Sequence, residues 1–144
     1  MSLPATRHVF VYGTLRRGEQ RDINFLQPAP EWAGQASLQG VLYDLGVYPG
    51  ILLGGEGLVH GEVYRISPAL ERQLDEIEEV WPQQTGEYAR REVEVRLEPP
   101  QACVAGIESG VVACLVYEIA PRRAQGKPVI ASGDWVQYRL SKGS

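Results

Sequence analysis

Two places in the chain carry residue types that could do chemistry together. The first lies in residues 8–20, HVFVYGTLRRGEQ. The run Val9-Phe10-Val11-Tyr12 is β-branched and aromatic and suits a buried, pleated strand. It stops at Gly13, and Gly18 closes a turn before a more helical segment at residues 22–27. Strand, glycine-bounded loop and helix point several backbone N–H groups at one spot. Such a spot prefers an anion, either phosphate or the carboxylate of an amino-acid-like ligand. The plainer alternative is that Gly13 and Gly18 serve only a tight turn.

The second place is an acid, Glu78. Ser67 is a good N-cap and Pro68 a good first helical residue, so a helix begins there. Its capping box is incomplete, because Leu70 stands where an acid would belong. Leu70, Leu74 and Ile77 form one apolar stripe at helical spacing, and one turn beyond Leu74 the stripe arrives at Glu78. Glu71, Asp75 and Glu76 fall on the opposite or flanking faces and read as solvated, and Glu79 lies near the helix end. Periodicity therefore steers Glu78 inward. Burial disfavours its charged form, and a carboxyl raised towards neutrality suits proton transfer at physiological pH. The bland alternative is a frayed helix end whose acid swings out to water.

Nucleotide chemistry is excluded by the residues after the glycines. Gly13 and Gly18 fit the G-x-x-x-x-G of a phosphate-binding loop, which then needs Lys and Ser or Thr. Here Glu19 and Gln20 follow, and an acid at the cation's place repels a triphosphate.

The elements that must position these residues belong to a chain of 144 residues, enough for one domain over 1–144 and too short to favour two. Hydrophobic and charged fractions of 44% and 22% are those of an ordinary globular protein. A net charge of -4 leaves no electrostatic footprint for nucleic acid or an anionic membrane. The N-terminal stretch lacks the basic start and apolar core of a signal peptide, and the longest apolar run, residues 111–116, is far below spanning length. Cys103 and Cys114 follow no metal-ligand spacing, and only His8 and His60 could join them. They read as reduced cysteines of a cytoplasmic protein, with a hairpin disulfide as the other option.

Pro28-Ala29-Pro30 breaks the first helix and returns the chain to strands. Residues 37–44 read as a strand, and residues 45–57 as a glycine-rich passage with turns at Tyr48-Pro49-Gly50 and Gly54-Gly55. Residues 58–66 read as a strand with Val59, Gly61, Val63 and Arg65 on one face. Residues 88–97 alternate most cleanly, with Val93, Val95 and Leu97 against Arg90, Glu92, Glu94 and Arg96. Residues 111–119 form a further strand, and residues 133–138 read as turn residues leading to a short extended piece. Strands follow one another without helices between them. That pattern predicts an α+β domain on an antiparallel or mixed, strongly curved sheet.

Taken in order, these pieces resemble the γ-glutamylcyclotransferase-like superfamily, in its short bacterial and γ-glutamylamine-type branch. The residues that carry the resemblance are Val11-Tyr12-Gly13-Thr14-Leu15-Arg16-Arg17-Gly18, Leu74-Asp75-Glu76-Ile77-Glu78, Tyr88-Ala89-Arg90 and Ser132-Gly133-Asp134-Trp135. Tyr43-Asp44-Leu45-Gly46 with Tyr48-Pro49-Gly50 adds to them. The resemblance implies a compact mixed, largely antiparallel β-barrel flanked by a few helices, with a substrate cavity at one mouth. It implies that Tyr12, Gly13, Thr14 and Leu15 hold a γ-glutamyl moiety and that Glu78 is the acid/base. Two departures stand out. Glu79 follows Glu78 where the family often has glycine, and no tyrosine lies between Pro121 and Trp135, where glutathione-degrading members have one.

The implied reaction is cyclisation of a γ-glutamyl amide or amine to 5-oxoproline with release of the free amine, and it needs no metal or organic cofactor. The implied partner is a small γ-glutamyl molecule, with neither nucleic acid nor membrane. Tyr88 could line the pocket or fill the core. Arg16 and Arg17 could attract an anionic substrate or simply solvate a loop. A different class of function uses the same cavity without catalysis, as a module that binds a small acidic metabolite or a protein partner.

Overall fold

A computed structural model describes residues 7–13, 15–19, 22–46, 49–77, 88–97 and 111–142. Five strands close into a barrel: β1 (Arg7–Val11), β2 (Glu31–Asp44), β3 (Pro49–Ile66), β4 (Tyr88–Leu97) and β5 (Val111–Ile119). Their order around it is β1-β3-β2-β4-β5. Every pairing is antiparallel except the seam between β1 and β5, which is parallel and pairs His8 with Cys114 and Val9 with Leu115. Among the described residues three helices flank the barrel: α1 (Pro68–Ile77), α2 (Pro121–Ala124) and α3 (Trp135–Lys142). None of the described helices is long and apolar enough to cross a membrane.

Strand alternation divides the apolar side chains between two cores. Phe10 and Tyr12 turn into the barrel and meet Ala36, Leu38, Leu42, Ile51, Val59, Val63, Val95 and Val116. Val9 and Val11 turn outward, where Leu15, Ile23, Tyr64, Leu70, Leu74, Leu115 and Tyr117 cover them. The second core is what α1 contributes to: Leu70 and Leu74 are fully buried in it, as their spacing requires. The start of α1 is also as expected, with the Ser67 hydroxyl accepting from the Leu70 N–H at 3.1 Å.

Three local expectations give way. Residues 22–27 form only a 3₁₀ turn over Ile23–Phe25, because Asp22 accepts from the Asn24 N–H and the chain is extended again at Leu26. From Pro49 on, the glycine-rich passage is part of one long strand, β3, with a wide irregularity inside it. Gln39 pairs with Leu58 and Gly40 with Leu53, so residues 54–57 have no counterpart in β2. Gly54 and Gly55 absorb the detour at φ of 95° and 85°, which other residues rarely adopt. Finally, the tail is helical. Asp134 caps α3 by accepting from the Gln137 N–H at 3.1 Å, and Trp135 anchors the helix in the barrel core.

Candidate active site

β1 delivers the glycine loop to one end of the barrel. Tyr12 is buried, and its hydroxyl donates to the Tyr117 carbonyl at 2.7 Å, fixing the strand exit against β5. Gly13 sits on Pro49, the first residue of β3. A Cβ at Gly13 would lie 2.6 Å from Pro49 Cγ and 2.8 Å from Cδ, so only glycine lets the loop lie this close. Leu15 is buried in the outer core, and its carbonyl accepts from the Ile23 N–H at 2.9 Å.

The loop's amides divide into two groups. The Arg16 N–H donates to the Gly13 carbonyl and the Glu19 N–H to the Arg16 carbonyl, both at 3.0 Å. The Arg17 N–H donates to Glu62 Oε1 at 2.9 Å, and the Gly18 N–H to Asp22 Oδ2 at 2.8 Å. Residues 16–19 thus spend their donors inside the protein. The N–H groups of Gly13 and Leu15 have no acceptor among the described residues. Thr14 lies outside the described residues.

The helix that leads to Glu78 reaches the same end. Asp75 is buried, accepting from the Tyr117 hydroxyl at 2.8 Å and from Arg90 Nη1 at 3.1 Å. Arg90 also donates to Glu71, which pairs with Arg7 Nε at 3.2 Å. The expectation that Glu71 and Asp75 are solvated is therefore corrected: β4 and β5 lie against that face of α1 and supply partners. Tyr117 ties the two site elements together, its carbonyl holding Tyr12 and its hydroxyl holding the last turn of α1. Glu78 and Glu79 lie outside the described residues. Of Tyr88 the backbone is described; it opens β4 opposite Ile119, at the same end of the barrel.

Several residues of the site were not legible as such. Arg16 is buried, with Nε 3.2 Å from Glu62 Oε2 and Nη1 2.9 Å from Asp134 Oδ1. Arg17 lays its guanidinium over the Trp32 ring at 4.5 Å. Neither arginine is a bare surface charge. Glu19 is buried under α3, where Trp135 Nε1 donates to it at 3.1 Å and Arg139 Nη2 at 2.6 Å. Burial alone would raise the Asp22 pKa, but the amides of Gly18 and Asn24, the Asn24 side chain and Arg17 outweigh it and hold the carboxyl below its ordinary value. One signal was available for Glu62. It shares a strand face with Tyr64 and Ile66, both apolar enough to demand cover. Among the described residues no three His, Cys, Asp or Glu side chains form a group that could hold a metal ion.

A barrel with its glycine loop seated at one end can be compared with known proteins. The family model described as gamma-glutamyl cyclotransferase, AIG2-like, matches residues 9–137. The chain belongs to that family. A putative γ-glutamylcyclotransferase of Vibrio cholerae is 36% identical over 131 residues, which is 90% of this chain and 95% of that one. The γ-glutamyl cyclotransferase of Niallia circulans that acts on γ-L-glutamyl-butirosin B is 42% identical over 73 residues, 50% of this chain and 46% of that enzyme. Among solved structures, the mouse AIG2-like protein superposes with a TM-score of 0.67 at 30% identity, covering 90% of this chain and 88% of its own. The γ-glutamyl cyclotransferase barrel expected from the sequence is the fold observed.

Proposed function

We propose that this chain cyclises a γ-glutamyl amide or amine to 5-oxoproline and releases the free amine, with Glu78 as acid/base. The observation that carries the proposal is the division of the loop's amides. The amides of residues 16–19 are committed internally, which supports assigning the glutamyl-holding role to Gly13, Thr14 and Leu15, next to the buried Tyr12. Family membership and the Niallia relative, whose substrate is a γ-glutamyl compound, support it.

The substrate carries its own nucleophile. Its α-amino nitrogen attacks the γ-carbonyl carbon to form the five-membered ring, and the bond from that carbon to the leaving nitrogen breaks. Held folded, the chain reacts as a pre-oriented pair, an effect that can lower barriers by roughly 7–11 kcal/mol at best. The attacking amine must be neutral. Glu78 takes its proton and returns one to the departing amine, so the step is redox-neutral and proton-balanced. The amides of Gly13, Thr14 and Leu15 bind the α-carboxylate or the developing oxyanion. Tyr88, whose backbone opens β4 at the same end of the barrel, is assigned to substrate binding in this reading.

A panel of γ-glutamyl amides followed by 5-oxoproline release tests the reading. Glu78→Gln should lower turnover by about 10²–10⁴ while leaving ligand affinity and fold intact. Turnover that persists in that variant defeats the assignment of Glu78. Binding without turnover in the parent would make the protein a non-catalytic module.

A further inference from the structure

The second half of the loop is built around an anion that the protein itself supplies. Glu62, on the outer face of β3, has a side chain only 7% exposed. Its Oε1 accepts from the Arg17 N–H and the Tyr64 hydroxyl, both at 2.9 Å, and its Oε2 from Arg16 Nε at 3.2 Å. Arg16, itself 11% exposed at the side chain, spans from Glu62 to Asp134 at the head of α3. Glu19, on the far side of the loop, is gripped by Trp135 and Arg139, which lie four residues apart on α3 and so share one face. β3 and α3 thus clamp residues 16–19 through buried charges, and the clamp does not reach residues 13–15.

We propose that Glu62 and Arg16 are positioning residues that set the geometry of Gly13 and Leu15 in the first half of the loop, with α3 bracing the loop through Glu19. The reading they serve gives Gly13, Thr14 and Leu15 the glutamyl-holding role. The proposal rests on the reading of those three residues as the glutamyl-holding element. It also assigns Arg16 away from the substrate. With its guanidinium paired to two carboxylates of the protein, it acts on the loop and makes no contact with the ligand's anionic group. A carboxylate held by three donors fixes the loop in a way that a lone ion pair would not, because its Oε1 captures main chain.

Glu62→Gln tests this without changing side-chain shape. The glutamine oxygen can keep the Arg17 N–H and the Tyr64 hydroxyl, but its NH₂ confronts Arg16 Nε. The expected result is KM raised by at least about tenfold with kcat within about threefold, since the loop's grip serves ground state and transition state alike. The second readout is amide exchange at Glu19 and Ile23, whose N–H groups close the loop onto Arg16 and Leu15 and do not touch Glu62. Exchange there should quicken by at least about tenfold while the β4–β5 amides keep their protection. Glu92→Gln, on the exposed face of β4, should change neither. Unchanged KM together with unchanged exchange overturns the proposal. A uniform loss of protection across β4 and β5 also overturns it, as that shows a general structural role. Should Glu62→Gln fail to fold, Arg16→Lys, which cannot bridge both acids, is judged by the same two readouts. A parent protein that turns over no γ-glutamyl amide sinks the proposed function. Exchange then decides the loop-holding role alone, faster exchange upholding it and unchanged exchange refuting it.

Discussion

Gly13→Ala presses directly on the seat of the loop that follows β1 and is proposed to hold the substrate. The added Cβ would stand 2.6 Å from Pro49 Cγ and 2.8 Å from Cδ, whereas unstrained carbon atoms meet at about 3.5–4.0 Å. About 1 Å must be found by moving the loop or Pro49. Pro49 is buried and pairs opposite Asp44 at the start of β3, so its ring cannot swing aside cheaply. Overpacking of this kind costs about 1–3 kcal/mol. Alanine returns about 0.4–1 kcal/mol by restricting the unfolded chain, so the net loss should be about 1–2 kcal/mol. For a chain of this length that is a fall in Tm of roughly 2–8 °C. The catalytic effect should be larger, since a displacement of about 1 Å in a substrate-positioning group can cost about 100-fold in rate. Thermal unfolding and 5-oxoproline kinetics measure the two effects side by side. Adding Pro49→Ala removes both clashing atoms and should restore part of each loss, a non-additivity that marks a direct contact. The reasoning is refuted if Gly13→Ala keeps turnover within about threefold of the parent. It is also refuted if the second substitution adds its own damage without relief.

Two further outcomes follow from the fold. Ser67→Ala removes the acceptor of the Leu70 N–H at the start of α1 and should cost about 1 kcal/mol, read by urea unfolding. Burial pushes the Cys114 thiol up to about 12 from an ordinary value of 9.0. The unfolded thiol ionises above about pH 9 while the folded one does not. Stability from this group is thus complete below pH 9 and is lost as pH rises towards 12, by about 1.4 kcal/mol per unit. In a Cys103→Ser background, Cys114→Ala should flatten that part of the pH–stability curve, and the parent thiol should resist alkylation until the barrel unfolds.

The parts of the fold most legible in the sequence were those whose side chains answer to a single periodicity. β4 reads directly because Val95 and Leu97 are buried while Glu92, Glu94 and Arg96 are exposed. α1 reads from its cap and its stripe. β3 was harder, since a glycine pair that usually ends a strand here interrupts only the pairing with β2. α3 was missed because its first turn is tied down by tertiary partners. Asp134 binds Arg16, and Trp135 reaches Glu19, contacts from residues 118 and 116 positions away. The same cause hid the site's supports. Asp75, Arg16 and Glu62 are ordinary polar residues by local pattern, and each is buried because a distant element brings the opposite charge or a hydroxyl to it.

The parallel seam is what closes the barrel. The sheet edge that β1 offers is met by a strand from the far end of the chain, and the hydroxyl of Tyr12 finds its acceptor 105 positions later. Without Val111–Ile119 the order β1-β3-β2-β4 would leave two open edges, the kind of margin that pairs with neighbouring chains. The exit of β1 towards the glycine loop is therefore braced only when that late strand closes the barrel, since the acceptor of the Tyr12 hydroxyl lies on it.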